Sequence, residues 1–174
     1  MRRLITILLA TLLIGCSPVF TQPKNPGMQY YKEIKSWQER TTEHGWTRQD
    51  VNEIMSQCLR LAKYESEKPG KDHWKTYHEF LINFKGDCED IAVFMFGTLR
   101  RLGYPHGLKL RAIKMPLGDH AVIMVQMEDG KWVMYNSVPI PGDFFDLALS
   151  SFIVDWDETN ILYIPIESVD KRIN

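Results

Sequence analysis

The hydrophobic pattern of this 174-residue chain changes its period once, near Gly103, and this change limits the folds available to it. Before Gly103, apolar residues recur every three or four positions, which indicates amphipathic helices. After it, Leu108, Leu110 and Ala112 alternate with charged residues, as in a strand with one buried face. Helices followed by an antiparallel sheet predict an α+β domain, and this length supports one hydrophobic core.

The helical half of the chain predicts four helices. The first spans about residues 29–42, and the second runs from the capping residue Thr47 to Pro69-Gly70. A short third helix follows Thr76, and the fourth covers 88–102. The fourth helix has the clearest helical pattern, with these apolar residues on one face: Ile91, Ala92, Met95, Leu99 and Leu102. We expect this last helix to pack across the sheet.

A cysteine opens the fourth helix, in the sequence Gly86-Asp87-Cys88-Glu89-Asp90. The thiolate is the nucleophilic form of cysteine, and the free N–H groups and positive dipole end of a helix stabilise it. Three neighbouring carboxylates oppose that stabilisation unless a histidine or a cation compensates for them. The motif therefore predicts a catalytic thiol with partners elsewhere in the chain. Simple burial of a small residue is the alternative.

The strand half supplies two candidate partners for the thiol. Two alternating runs, 120–127 and 131–136, flank Asp129-Gly130, which is a strong signal for a two-residue hairpin turn. His120 begins the first run and Asn136 ends the second, so the hairpin makes them diagonal neighbours. We expect His120 to take the thiol proton and Asn136 to orient its ring. A mere strand-ending role for Asn136 is the alternative.

The first 15 residues are typical of an export signal. A basic start precedes an apolar run at residues 4–14, about half the roughly 20 residues that a membrane span needs. Residues 13–16 are Leu-Ile-Gly-Cys, and this sequence resembles the lipobox of bacterial lipoproteins. We expect residues 1–15 to be removed and Cys16 to carry lipid, which anchors the chain to a membrane. An ordinary signal peptide with an incidental cysteine is the alternative.

The mature chain then divides into a tether at residues 16–28 and a folded domain at residues 29–174. Ser17 follows the lipidated cysteine where an inner-membrane retention signal would have aspartate, which favours the periplasmic face of the outer membrane. Basic residues are scattered, so no nucleic-acid partner is expected. Cys58 lies on the apolar face of the second helix and is expected to stay unpaired, although a disulfide with Cys88 is the alternative.

The chain resembles the bacterial transglutaminase-like cysteine proteinases over about half its length. These segments carry the resemblance: Asp72 to Leu81, Gly86 to Ala92, Leu102 to Pro105, and His120 to Val122. The resemblance implies a papain-like/transglutaminase-like core and a Cys-His-Asp triad, with Cys88 as nucleophile and His120 as base. Asn136 stands where the family has aspartate. An amide oxygen still accepts the ring N–H but carries no charge, so we expect a slower enzyme.

The resemblance also implies calcium bound by acids beside the cysteine, here Asp87, Glu89 and Asp90. Clustered carboxylates are hard oxygen ligands that suit Ca²⁺, and a cation would relieve their repulsion of a thiolate. The alternative is that the acids complement the helix dipole. No organic cofactor is expected.

These expectations combine into a lipid-anchored periplasmic thiol hydrolase that acts on a protein or peptide of the bacterial cell envelope. Two alternatives stay open: transfer of the acyl group to an amine, as in a transglutaminase, and a non-catalytic calcium- or protein-binding module. If Asn136 only ends its strand, Asp143 or Asp146 is the better third residue. Trp74 and Tyr77 would either line a substrate groove or pack in the core.

Overall fold

The computed structural model describes residues 22–67, 73–115, 118–137 and 152–156. The predicted export signal, the lipidation site Cys16 and the loop acids Asp143 and Asp146 lie outside these ranges. Among the described residues, none of the helices combines the length and the apolarity needed to cross a bilayer.

The described elements follow the predicted order of helices first and an antiparallel sheet after them. The helices are α1 (Pro26–His44), α2 (Arg48–Leu61), α3 (Tyr77–Asn83) and α4 (Cys88–Arg101). The strands are β1 (Lys63–Tyr64), β2 (Lys85–Gly86), β3 (Leu108–Met115), β4 (Gly118–Gln126), β5 (Trp132–Tyr135) and β6 (Phe152–Trp156). The α+β prediction is therefore confirmed.

Two helix starts are fixed by reciprocal capping, and both begin directly after the threonines named from the sequence. Thr47 accepts a hydrogen bond from the Asp50 N–H while the Asp50 carboxylate accepts one from the Thr47 N–H. Thr76 and Glu79 make the same pair at the start of α3. Each reciprocal pair satisfies backbone N–H groups that have no partner within the first turn of a helix.

The predicted end of α2 at Pro69-Gly70 is wrong. The helix ends at Leu61, the last residue of its buried stripe, and the chain then forms the short strand β1. The strand β1 pairs in parallel with β2, directly before the cysteine helix. Exposed residues follow Leu61, so continued helix would bury no further apolar surface, whereas the strand pairing satisfies backbone groups.

Helix α4 occupies the centre of the core. Phe94 is fully buried and its ring lies 4.8 Å from that of Phe80, 5.3 Å from Tyr30 and 5.6 Å from Phe84, measured between centroids. Aromatic pairs at such separations add to the stability gained from burial itself. The cysteine at the start of α4 thus belongs to the same helix as the aromatic centre of the core.

The four-stranded antiparallel sheet has the order β5-β4-β3-β6, and apolar side chains form a cluster on each of its faces. Ala121, Ile123 and Val125 belong to the main core with the helices. The alternate residues Val122 and Met134 belong to a second, small cluster with Ile113. Since strand side chains alternate between faces, the second cluster lies on the side of the sheet away from the helices.

Candidate active site

The segment before α4 brings three acids and a cysteine together in little space. Cys88 is the first residue of α4 and is 9% exposed. Gly86 precedes it and packs against the Asp90 side chain so closely that an added Cβ would lie 2.2 Å from Asp90 Oδ2. Glycine is therefore required there for a steric reason, which explains one position of the motif.

The Cys88 thiol donates a hydrogen bond to Glu89 Oε2 at 3.0 Å. Burial, and after it the charge of Cys88, raises the pKa of Glu89 to about 10. Glu89 is therefore protonated at neutral pH, so it carries no negative charge that would oppose a thiolate there. The sequence did not predict this hydrogen bond, because Glu89 was interpreted there as a carboxylate that opposes the thiolate, as a calcium ligand or as a helix-dipole residue.

The other two acids of the motif have different surroundings. Asp90 is fully buried and is bound by Lys75, through the backbone N–H at 2.7 Å and the ammonium Nζ at 2.5 Å. Asp87 precedes the helix but its side chain makes no capping bond, and its buried Oδ1 has no hydrogen-bond partner among the described residues. Burial is the largest cause of the raised pKa of Asp87.

These acids do not fit a calcium ion as they are placed. Glu89 binds the thiol, Asp90 binds an ammonium group, and the buried Oδ1 of Asp87 has no hydrogen-bond partner among the described residues. Across the described parts of the chain, no group of three or more histidine, cysteine, aspartate or glutamate side chains is arranged to hold a metal. Calcium binding by this chain stays a prediction.

The hairpin brings His120 and Asn136 together as the spacing predicts. Ile123 pairs with Tyr135 across the two strands, so Asn136 lies diagonal to His120. His120 Nε2 lies 2.9 Å from Asn136 Oδ1, which makes Asn136 the acceptor when that nitrogen carries the proton. Both side chains are half-buried. The predicted contact between the His120 ring and the Asn136 amide is therefore present.

Contacts with α2 hold this hairpin against the helices. The Tyr135 hydroxyl donates to Asn52 Oδ1 at 2.5 Å. Near the turn, Arg48 Nη2 lies 3.5 Å from Asp129 Oδ2, and both side chains are largely solvent-exposed. An exposed ion pair contributes little stability, and the hydrogen bond from Tyr135 to Asn52 is exposed as well.

The structure does not place His120 against the thiol. Cys88 belongs to the core on the helical side of the sheet, whereas His120 pairs with Ile113, whose side chain lies on the opposite side. Within the described residues, the hydrogen-bond partner of Cys88 is Glu89 and that of His120 is Asn136. The structure thus brings together two halves of the predicted triad, each with its own partner.

The remaining candidates of the sequence reasoning fall in the core. Tyr77 hydrogen-bonds the Tyr30 hydroxyl and stacks on Phe94 at 6.3 Å between ring centroids. Trp74 is partly buried and packs against the main core. Cys58 and Cys88 are both free, as expected, so no disulfide joins them.

The described helices and antiparallel sheet, with Cys88 at the start of the central helix, form a papain-like/transglutaminase-like fold. Solved structures of LapG from Legionella pneumophila share this fold. Two of them, one EGTA-treated, each have a TM-score of 0.59 at 16% identity, over 78% of this chain and 76% of LapG. A calcium-bound LapG structure has a TM-score of 0.55 at 16% identity, over 88% of this chain and 93% of LapG.

No protein-family model matches the chain, and no curated protein matches it either. At 16% identity the likeness to LapG shows the fold alone. The activity must therefore be argued from the residues of this chain.

Proposed function

We propose that this chain is a lipid-anchored thiol hydrolase, a cysteine peptidase that cleaves amide bonds of a protein in the bacterial cell envelope. The observation that carries the proposal is the hydrogen bond between His120 Nε2 and Asn136 Oδ1. A histidine ring oriented by an amide oxygen is the arrangement of base and orienting group in papain-like proteases. The fold supports the proposal because it sets Cys88 at the start of a helix.

In the proposed reaction, His120 takes the proton of the Cys88 thiol, and the thiolate attacks the carbonyl carbon of the substrate amide. The backbone N–H of Cys88 stabilises the oxyanion at the helix start. The C–N bond then breaks, and the leaving amine takes the proton from His120. Water hydrolyses the thioester, which releases the acid product and restores the thiol.

This reaction requires two changes from the described arrangement. The thiol must exchange Glu89 for His120 as its partner, and the His120 ring must reach the start of α4 from the first residues of β4. Hydrogen bonds between catalytic groups are often absent or poorly aligned without substrate and form in the complex. We propose that substrate binding draws the two halves of the site together.

We further propose that Cys16 carries the lipid and that the chain faces the periplasm from the outer membrane. The apolar run before Cys16 and the Leu-Ile-Gly sequence support this proposal. Mass spectrometry of membrane fractions should find a mature N-terminus at Cys16 with acyl chains attached. A soluble product that starts elsewhere would overturn both the anchor and the location.

A non-catalytic binding module is the second candidate function. It is favoured by one observation: the Cys88 thiol is bound by Glu89 rather than by an imidazole. In this case the fold would serve as a scaffold for a protein partner, and the thiol would be an inert part of the core.

Alkylation by iodoacetamide separates the two functions. Cys58 is the matched control because it is fully buried, and burial raises its pKa to about 12. A catalytic Cys88 should react at least about tenfold faster than Cys58 at neutral pH. Equal, slow reaction of both cysteines would favour the binding module. For a reactive Cys88, an activity-based probe followed by identification of cleaved envelope proteins would define the substrate.

A further inference from the structure

The ammonium group of Lys75 lies among oxygen atoms near the start of α4. Its Nζ is 2.5 Å from Asp90 Oδ2 and 3.1 Å from the backbone carbonyl oxygen of Lys85. The backbone N–H of Lys75 binds the second carboxylate oxygen of Asp90. One residue therefore satisfies both oxygens of a carboxylate that is fully buried.

Further negative charge surrounds this ammonium group. Burial lowers the pKa of Lys75, but the hydrogen bond and charge of Asp90, followed by the charges of Glu67 and Asp87, raise it above its ordinary value on balance. A cleft of about 330 Å³, lined in part by Glu65 and Glu67, opens beside Lys75. The surroundings are those of a site that selects a cation.

Carboxylate and carbonyl oxygens are also the ligands that hard divalent cations prefer. The same Asp90 oxygen cannot coordinate Ca²⁺ while an ammonium group lies 2.5 Å from it. We propose that the Lys75 ammonium is the resident cation of this oxygen site and fixes the Cys88 segment without calcium. The inference does not rest on the proposed function, because it concerns stability and ion binding and not amide cleavage.

The first experiment compares the wild-type chain in excess EGTA and in millimolar CaCl₂, by thermal unfolding and by isothermal titration with CaCl₂. We expect the same Tm in both buffers and no heat of binding. A Tm raised by calcium, or a titration that shows a bound ion, would overturn the proposal.

The second experiment removes the ammonium group by Lys75→Met. In EGTA this variant should lose about 10 °C in Tm, because it leaves the buried Asp90 carboxylate without its partner. Millimolar CaCl₂ should restore part of that loss, since the oxygens are then free to bind a divalent ion. A variant as stable as the wild type, or one that calcium does not stabilise, would contradict the proposal.

Lys85→Met is the matched control. Lys85 lines the same cleft, but its ammonium lies 3.5 Å from the exposed Glu65 and not at Asp90. It should change the Tm little in either buffer. If Lys75→Met fails to fold, Lys75→Met/Asp90→Asn removes both charges. This double variant should fold and show no calcium response, whereas a calcium response from it would place the site elsewhere and overturn the proposal.

Discussion

The start of α4 and the β4–β5 hairpin hold the two halves of the candidate site in different ways. At the start of α4, Cys88 and Asp90 are buried, and side chains of the core surround them. In the hairpin, His120 and Asn136 are half-buried, and β5 lies at the edge of the sheet. The candidate nucleophile is thus fixed by core packing, and the candidate base is fixed by one local hydrogen bond beside an edge strand.

The difference indicates which half can move. Moving Cys88 would disturb the packing of α4, which carries the central Phe94. Moving His120 to the thiol requires its side chain to leave the face of the sheet that it shares with Ile113, so the first residues of β4 must give up their pairing with β3. Functional segments are generally drawn from the less stable parts of a fold, so we expect the base to approach the nucleophile.

The largest predicted effect concerns the nucleophile. Cys88→Ala should abolish amide cleavage, because no other group at the start of α4 can form the thioester. Cleavage of a labelled envelope-protein peptide measures this loss. Cys58→Ala is the control and should retain activity after correction for the folded fraction, since Cys58 lies in the core away from the helix start. Residual cleavage in Cys88→Ala would contradict the proposed mechanism.

The next largest effect concerns the orienting residue of the hairpin. Asn136→Ala should lower kcat by about 10²-fold, within the range of general-base contributions, because the His120 ring loses its oriented acceptor. Asn136→Asp should keep or raise kcat, because a carboxylate stabilises the imidazolium that forms during the reaction.

Chemical denaturation provides the control for both Asn136 variants. It shows whether a change in kcat reflects the lost contact with His120 or only a loss of folded protein. Should neither variant change kcat while Cys88→Ala abolishes cleavage, Asn136 only ends its strand. Asp143 and Asp146 then become the residues to substitute.

A smaller effect is expected from the acid beside the thiol. The folded-state pKa of Glu89 is raised from 4.5 to about 10, so the folded state holds one more proton than the unfolded state between these values. Its contribution to stability is fully present below the unfolded pKa and is lost as the pH rises toward the folded pKa. Glu89→Gln should therefore flatten the fall in unfolding free energy with pH, by up to about 1.4 kcal/mol per pH unit.

Urea unfolding at about pH 6 and about pH 8 measures that slope. Glu79→Gln is the matched control, because the backbone and side-chain hydrogen bonds of Thr76 lower the pKa of this exposed acid. Its contribution changes only at acid pH, so the slope near neutrality should stay as in the wild type. An unchanged slope in Glu89→Gln would show that Glu89 is ionised beside the thiol.

The smallest effect concerns the attachment of the hairpin to α2. Tyr135→Phe removes the hydrogen bond to Asn52 and should cost about 0.5–1.5 kcal/mol of unfolding free energy. Tyr31→Phe, on the exposed surface of α1, is the control and should change stability by less. If Tyr135→Phe also lowers kcat beyond the loss of folded protein, the bond to Asn52 positions the neighbouring Asn136.

The parts of the site that the sequence predicts well depend on neighbours in the chain. The helix starts after Thr47 and Thr76, the start of α4 at Cys88, and the diagonal contact of His120 with Asn136 each follow from short spacings. Capping, helical period and a two-residue turn act over a few residues, and a single sequence carries them in full.

The face of the sheet that His120 occupies could not be predicted in the same way. Residues 121–125 are Ala-Val-Ile-Met-Val, an unbroken apolar run, so alternation does not show which side meets the helices. The contact of Lys75 with Asp90 was also missed. These residues are 15 positions apart, and only the tertiary fold brings the ammonium group to the carboxylate.

The position of β6 has a consequence for shortened forms of the protein. Leu110 pairs with Trp156 and Ile113 with Phe152, so a strand from near the C-terminus covers the edge of β3. A chain cut after Ser137 would expose the backbone N–H and C=O groups along β3, a strand with Leu110, Ala112 and Ile113 among its buried residues. Such an edge can pair with a second copy, so the truncated protein should aggregate even though every residue of the candidate triad is still present.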